Sequence, residues 1–225
     1  MKIIQRPSPN YDARPAGVAP DMLVLHYTGM KSAEAALERL CDPAAKVSAH
    51  YTIDREGRIY AHVPEDRRAW HSGVSWWAGE KDVNARSIGI ELVNPGHDFG
   101  YIPFTDEQIG ALIGLGKEIV ARHDIPAARV LGHSDVAPAR KDDPGELFPW
   151  KRLAENGVGL WPKPGTTKAD ADALMQFGYD PDAPRDKVIT AFQRHFRPAK
   201  LDGEWDDECS ALLSALIGNN RARSS

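Results

Sequence analysis

Three short apolar segments of this chain each carry a residue of a chemically active type at or near the carboxyl end. Residues 21–28 carry His26 and residues 87–93 carry Glu91. Residues 130–131 are followed closely by His133. Short apolar runs of this kind predict buried strands. We therefore expect core strands that bring these three side chains toward one edge of a sheet.

Other parts of the chain predict one hairpin, two helices and one long loop. The predictions are a hairpin over residues 48–63 with its turn at Gly57, a helix over residues 33–40 capped by Ser32, and a helix from Thr105 to about His123. Residues 134–149 contain three prolines and are predicted as a loop. Long loops within compact domains are usually functional.

Composition and charge exclude several classes of protein. The 225 residues include 42% hydrophobic and 27% charged residues, and the net charge is −4. These values are ordinary for a globular protein and give no basic footprint for nucleic acid. No apolar run reaches the roughly 18 residues of a membrane span. We expect a monomer.

The first residues do not resemble a secretory signal. The apolar run at the start stops at Ile4, and Pro7 and Pro9 follow it. A secretory signal needs an apolar stretch of roughly 7–15 residues. The sequence as given therefore favours a cytoplasmic location. A leader removed earlier would instead indicate a periplasmic or outer-membrane-associated protein.

The character of the chain changes after Trp150, and we expect two domains, residues 1–160 and residues 161–225. Residues 156–167 contain three glycines and two prolines, which is typical of a linker. Three helices are predicted beyond it, over residues 168–177, 185–196 and 206–217. A module of roughly 60 residues is near the lower size limit for an independent core. It could therefore bind a partner or only buttress the first domain.

His26, His133 and Asp143 are candidate metal ligands. Imidazole and carboxylate groups are good ligands for zinc, and three protein ligands leave a fourth position for water. Each residue alone has a simpler interpretation. A histidine at a strand end is often a hydrogen-bonded structural group, and Asp143 could be a solvated loop charge or a helix cap.

Glu91 and Lys141 are candidates for the chemistry itself. Glu91 lies in an apolar strand, where a carboxylate without a partner is costly to bury. It is either a general base beside a metal-bound water or a partly exposed edge residue. Lys141 could stabilise a developing oxyanion, or it could be an ordinary surface lysine.

Five motifs resemble those of a known enzyme family. Residues 132–145, GHSDVAPARKDDPG, resemble the signature of zinc N-acetylmuramoyl-L-alanine amidases of the peptidoglycan-recognition-protein superfamily. The other motifs are LHYT at 25–28, SAHY at 48–51, AWHSG at 69–73 and SIGIE at 87–91, all in the expected order. The match covers roughly Asn10 to Trp150. Within the family, the sequence resembles the branch that acts on anhydro-muropeptides and peptidoglycan in Gram-negative bacteria.

The resemblance implies a role for each matched residue. His26, His133 and Asp143 would bind one zinc ion, Glu91 would act as the acid/base, and Lys141 would stabilise the tetrahedral intermediate. Some superfamily members have cysteine at the position of Asp143, and non-catalytic recognition members lose that ligand. Residues that we expect to contact substrate or orient the ligands are Tyr27, His50, His71, Asn84 and His97.

The C-terminal part resembles a second known module. Residues 188–196 and 201–206 are similar to the three-helix peptidoglycan-binding domain that is often fused to such amidases. The alternative is that this module only supports the first domain.

Together these observations predict an α/β fold, with a mixed central β-sheet flanked by helices and followed by a small three-helix domain. The expected reaction is zinc-dependent hydrolysis of the amide between the lactyl group of muramoyl or anhydro-muramoyl sugar and L-alanine, in cell-wall turnover or recycling. The partners would be peptidoglycan or muropeptides. The alternatives are a non-catalytic peptidoglycan-recognition protein and a zinc hydrolase of another amide, such as an endopeptidase.

Overall fold

The computed structural model describes residues 2–223, with side chains described as far as residue 218. The strands are β1 Ile3–Gln5, β2 Tyr11–Ala13, β3 Met22–Tyr27, β4 Tyr51–Ile53, β5 Ile59–Ala61, β6 Arg67–Ala69, β7 Ser87–Leu92 and β8 Val130–Gly132. The helices are α1 Ala33–Cys41, α2 Val83–Arg86, α3 Asp106–Arg122, α4 His133–Val136, α5 Trp150–Glu155, α6 Ala173–Phe177, α7 Arg185–Phe196 and α8 Asp207–Arg223. Residues 1, 224 and 225, which the predicted domain ranges include, lie outside the described residues.

A six-stranded sheet organises the fold, in the order β1-β5-β4-β7-β3-β8. The β4–β5 pair is antiparallel and the other pairs are parallel, so the predicted mixed sheet is confirmed. The predicted hairpin is the β4–β5 pair, and its turn places Gly57 at a φ of 78°, in the left-handed region. A separate two-stranded sheet pairs β2 with β6.

Both faces of the central sheet are buried, and β3 shows how the sequence achieves this. Leu23 and Leu25 pack in a cluster with apolar residues of α3. Met22 and Val24 alternate with them and pack in a second cluster with residues of α6, α7 and α8. Successive side chains of a strand point to opposite faces, so a strand covered on both sides is apolar throughout. This accounts for the continuous apolar run at residues 22–25.

The C-terminal helices therefore share a core with the rest of the chain. Their buried residues, including Val188, Phe192 and Leu213, belong to the same cluster as Trp77 and Leu131. Residues 156–167 contain no helix or strand, as expected for a linker, but Val158 within them is fully buried. The division into two domains at residue 160 stays a prediction, and the packing shows that the two parts share buried surface.

Three predicted elements differ from those observed. The helix expected over residues 206–217 runs from Asp207 to Arg223. The helix expected over residues 168–177 begins only at Ala173. Ala169 instead exchanges hydrogen bonds with the Ser210 side chain of α8, and residues 171–172 form a turn before the helix begins. The loop expected over residues 134–149 begins as the short helix α4, whose start is stabilised because Asp135 accepts a hydrogen bond from the Gly132 amide.

In the part of the chain that the structure describes, no helix is both long and apolar enough to cross a lipid bilayer.

Candidate active site

The carboxyl ends of β3, β7 and β8 meet at one edge of the sheet. The register pairs His26 with Glu91 and Leu25 with Gly132, the residue directly before His133. The three apolar segments thus place their polar residues side by side, as the sequence predicts. The segment after α4 then brings Lys141 and Asp143 to the same edge, where both line a cavity with His26, Glu91 and His133.

His26, His133 and Asp143 converge on one point. The His26 Nδ1 lies 3.0 Å from the His133 Nδ1 and 3.0 Å from the Asp143 Oδ2, and the His133 Nδ1 lies 3.1 Å from the same oxygen. All three side chains are buried, and the group could hold a metal ion. Tetrahedral ligands at zinc distances are about 3.3 Å apart, so the spacing fits such an ion closely.

The charge states also suit a metal ion. Burial, followed by the nearby His133, lowers the pKa of His26 to about 4, so this ring is neutral at pH 7. Burial alone would raise the pKa of Asp143, but His133 and His26 outweigh it and hold that pKa below its usual range. A neutral imidazole beside an ionised carboxylate is the state that divalent metals require.

The Nε2 atoms of His26 and His133, on the side of each ring away from the convergence point, both contact other residues. The His133 Nε2 donates a hydrogen bond to the backbone carbonyl of Ser72 over 3.0 Å, which leaves its Nδ1 free to bind a metal. The His26 Nε2 lies 3.0 Å from the His71 Nδ1. Both rings are therefore fixed with Nδ1 facing the convergence point.

Asn84 holds the residues that support these rings. Its side-chain oxygen accepts hydrogen bonds from the backbone amides of His71, over 3.1 Å, and Ser72, over 2.8 Å. His71 packs against Gly89 of β7, where a Cβ atom would lie 2.5 Å from the imidazole ring. Of the two residues, His71 lines the cavity and Asn84 does not.

His50 is a buried link between strands. Its Nδ1 accepts a hydrogen bond from the Gly89 amide over 2.9 Å, and its Nε2 lies 3.1 Å from the Arg67 carbonyl. Burial lowers its pKa to about 3, so the ring is neutral. His50 does not line the cavity, and its contacts favour a structural role.

Tyr27 and His97 form one wall of the cavity. The Tyr27 hydroxyl lies 2.9 Å from the His97 Nδ1, and the His97 Nε2 lies 3.1 Å from a carboxylate oxygen of Glu146. Gly96 packs so closely on the Tyr27 ring that a Cβ atom there would lie 2.6 Å from it. Burial raises the pKa of Tyr27 to about 12, so its hydroxyl keeps its proton.

Glu91 has an unusual environment for a carboxylate. Its Oε2 is buried and has no hydrogen-bond partner among the described residues. Burial, followed by the negative charge of Asp143, raises the pKa of Glu91 well above its usual value, while Lys141 opposes the shift. Strongly shifted, unpaired groups in a cavity are typical of residues that transfer protons.

The cavity has a volume of about 530 Å³ and extends from the ligand group toward α1. Its lining includes several residues that sequence reasoning did not single out, namely Met30, Arg39, Trp70 and Arg140. Arg140 donates a hydrogen bond to the same Ser72 carbonyl that receives His133. The presence of Trp70 and Arg140 inside two matched motifs was the available signal for their position.

Comparisons with known proteins identify the family of the chain. Residues 16–146 match the model of the family described as N-acetylmuramoyl-L-alanine amidase. The chain is 41% identical to the N-acetylmuramoyl-L-alanine amidase AmiD of Escherichia coli, covering 87% of this chain and 82% of that protein. It is 37% identical to the 1,6-anhydro-N-acetylmuramyl-L-alanine amidase AmpD of Enterobacter cloacae, covering 65% of this chain and 86% of that protein.

Solved structures are similar over nearly the whole chain. The complex of AmiD from E. coli with the substrate anhydro-N-acetylmuramic acid-L-Ala-D-gamma-Glu-L-Lys superimposes with a TM-score of 0.79 at 39% identity, covering 91% of this chain and 92% of that one. AmpDh3 from Pseudomonas aeruginosa in complex with anhydromuramic pentapeptide gives a TM-score of 0.82 at 36% identity, covering 93% and 95%. The family resemblance that the motifs indicate is thereby confirmed, and the chain belongs to the N-acetylmuramoyl-L-alanine amidase family.

Proposed function

We propose that the chain is a zinc-dependent amidase that cleaves the bond between the lactyl group of a muramoyl or anhydro-muramoyl sugar and the L-alanine of its stem peptide. The observation that carries the proposal is the convergence of His26, His133 and Asp143 in the cavity that Glu91 also lines, where the buried Oε2 of Glu91 has no hydrogen-bond partner among the described residues. Relatives with this activity in their names, and solved complexes with muropeptides, support the choice of substrate.

The donor set fits zinc better than magnesium or calcium. Two imidazole nitrogens and one carboxylate oxygen are ligands that zinc prefers, whereas the other two ions favour oxygen ligands. Three protein ligands leave a position for water, which is the arrangement of a hydrolytic site. When bound, zinc supplies a Lewis acid that polarises a carbonyl group and lowers the pKa of water.

Glu91 and Lys141 would then perform complementary tasks. Ionised Glu91 accepts a proton from the attacking water as the water oxygen bonds to the amide carbon, and it returns that proton to the leaving nitrogen of L-alanine. The side chain of Lys141, which lines the same cavity, would stabilise the negative charge that develops on the carbonyl oxygen. Tyr27 and His97 line the same cavity, and we assign them to substrate contact.

The test is incubation of the zinc-loaded protein with a defined muropeptide, followed by mass spectrometry. The amidase predicts release of an intact stem peptide with a free L-alanine amino group. Cleavage within the peptide would identify an endopeptidase. Binding without any product, together with stoichiometric zinc, would identify a recognition protein and contradict the proposal.

Two further expectations from the sequence stay predictions. Light scattering on the purified chain would test the expected monomer. Fractionation of the source cells would distinguish the cytoplasmic location from a periplasmic or outer-membrane-associated one.

A further inference from the structure

Asp135 connects the site to the C-terminal helices. This carboxylate is completely buried two residues after His133. Its Oδ2 accepts hydrogen bonds from the Gly132 amide and from the His195 Nδ1, both over 2.7 Å, and its Oδ1 accepts one from the Tyr179 hydroxyl over 2.7 Å. A buried carboxylate is costly unless several donors compensate it. Two of these three donors lie 44 and 60 residues further along the chain.

The His195 ring is held rigidly in place. It stacks on Trp150, with ring centroids 3.7 Å apart and an interplanar angle of 20°. It also stacks on Phe196, with ring centroids 3.9 Å apart and an interplanar angle of 9°. Trp150 begins α5 directly after the segment that carries Lys141 and Asp143. The donor to Asp135 is therefore locked between rings from both parts of the chain.

A second hydrogen bond links the C-terminal helices to the residue before Asp143, another of the candidate metal ligands. Arg194, directly before His195 in α7, donates a hydrogen bond to the Asp142 Oδ1 over 2.8 Å. Asp142 stands between Lys141 and Asp143. Neighbouring residues of one helix thus hold both ends of the ligand loop, which we define as residues 133–143.

The ligand loop is also closed on itself. The Ser134 amide donates a hydrogen bond to the Asp143 carbonyl over 2.9 Å. A shift of α4 would therefore move His133 and Asp143 together relative to His26, which lies on the separate strand β3. Residues that fix the surroundings of metal ligands typically change metal affinity or activity by roughly 10–100-fold when mutated.

We propose that Tyr179 and His195, assisted by Arg194, are positioning residues for the amidase reaction, because they hold the ligand loop in register with His26. The inference rests on the proposed function, since it assumes that the group binds zinc. It gives the C-terminal helices a part in metal retention and turnover, in addition to any attachment to the cell wall. None of the three residues needs to touch the substrate.

The test compares full-length point variants with the wild-type protein. Tyr179→Phe/His195→Phe removes the two side-chain donors to Asp135 while keeping the aromatic packing. Tyr179→Phe/His195→Gln differs from it only at residue 195, where the glutamine amide can again donate a hydrogen bond to Asp135. Ser210→Ala is the matched control, because it removes the two hydrogen bonds that the Ser210 side chain exchanges with Ala169 in the same helical region, away from the ligand loop. Zinc affinity is measured by competition with a chromogenic chelator, below the melting temperature of every variant.

We expect the double variant to bind zinc about tenfold more weakly and to lose a similar factor in kcat, with KM changed less. Tyr179→Phe/His195→Gln should recover part of the affinity, and Ser210→Ala should retain wild-type affinity. If the double variant does not fold, Tyr179→Phe alone should show a smaller loss of affinity in the same assay.

Three results would overturn the inference. A folded double variant with wild-type zinc affinity and kcat would show that the helices only buttress the sheet. An equal loss in Ser210→Ala would show a general effect of stability. A wild-type protein that binds no zinc would contradict the proposed function itself and remove the inference with it.

Discussion

His26 and Glu91 are register partners on the adjacent parallel strands β3 and β7. Residues paired in this way project to the same face of a sheet, so one strand register sets the distance between a candidate metal ligand and the candidate proton-transfer group. A slip of one residue would turn Glu91 to the opposite face. The relative position of His26 and Glu91 thus depends on the same apolar packing that stabilises the core.

Replacing His133 by alanine should abolish tight zinc binding. The change removes one of three ligands and leaves a buried carboxylate beside His26. Metal analysis after dialysis should find zinc in the wild-type protein and in a His97→Ala control, whose ring lines the cavity outside the ligand group. Stoichiometric zinc in the His133→Ala protein would remove this residue from the metal site.

A methyl group at Gly89 should displace His71 and, through it, the candidate ligand His26. The added Cβ would lie 2.5 Å from the His71 ring, which itself lies 3.0 Å from the His26 Nε2. Overpacking of this kind costs about 1–3 kcal/mol of unfolding free energy, and we expect weaker zinc binding as well. Denaturant unfolding of Gly89→Ala would measure the loss.

Gly110→Ala is the control for that experiment, because a Cβ in the middle of α3 meets no atom within 4 Å. Alanine at an exposed helical glycine should stabilise the protein by about 0.5–1 kcal/mol. Equal stability of the Gly89→Ala variant and the wild-type protein would contradict the close contact with His71.

The raised pKa of Glu91 should make this residue destabilising at neutral and alkaline pH in the metal-free protein. A carboxyl group whose pKa is higher in the folded state than in the unfolded state favours folding at low pH. That contribution is lost as the pH rises from the unfolded value, about 4.3, to the folded one. Burial is the main cause of the shift.

Glu91→Gln should therefore be more stable than the wild-type protein at pH 8, and the difference should shrink as the pH falls toward 4. Thermal melting of both chelated proteins across this range measures the effect. A constant difference at all pH values would show that the Glu91 pKa is not raised.

Removal of the chain after Pro164 should strongly destabilise the remainder. The sequence alone favours a truncated protein that still cleaves small muropeptides if it stays folded. The structure shows that Met22, Val24, Trp77 and Leu131 share a core with the C-terminal helices. Each large apolar side chain that becomes exposed costs about 1.5–3 kcal/mol. A truncated protein that melts at the wild-type temperature would contradict this expectation.

Cell-wall attachment by the C-terminal helices stays a prediction of the sequence resemblance. It is best tested by sedimentation of the full-length protein with purified sacculi, because truncation also affects folding. Co-sedimentation by the zinc-free protein would separate attachment from turnover. Failure of the full-length protein to co-sediment would favour a supporting role for these helices.

The sequence predicted these strand ends well because β3, β7 and β8 are mainly apolar runs with a polar residue at or just after their carboxyl ends. His26, Glu91 and His133 stand out for this reason. Asp143 and Lys141 are weaker candidates on residue type alone and depend on the family motif, since nothing in a proline-rich loop indicates where its side chains lie. The contacts of Asn84 and His50 depend on neighbours far away in sequence, which periodicity cannot reveal.

The sequence also could not predict that the C-terminal helices share a core with the central sheet. The apolar faces of the C-terminal helices predict that something covers them, but the pattern does not identify the covering surface. The partners of Asp135 illustrate the same limit, because Tyr179 and His195 have no local signal that links them to residue 135.

Turnover by zinc-loaded Glu91→Gln is the most direct test of the proposed mechanism. The substitution keeps the size of the side chain and removes its capacity to accept a proton. At matched zinc content and saturating muropeptide, we expect release of the L-alanine-terminated peptide to fall by roughly a hundredfold or more in kcat, with little change in KM. A zinc-loaded Glu91→Gln protein that releases this peptide within a few-fold of the wild-type rate would contradict the account.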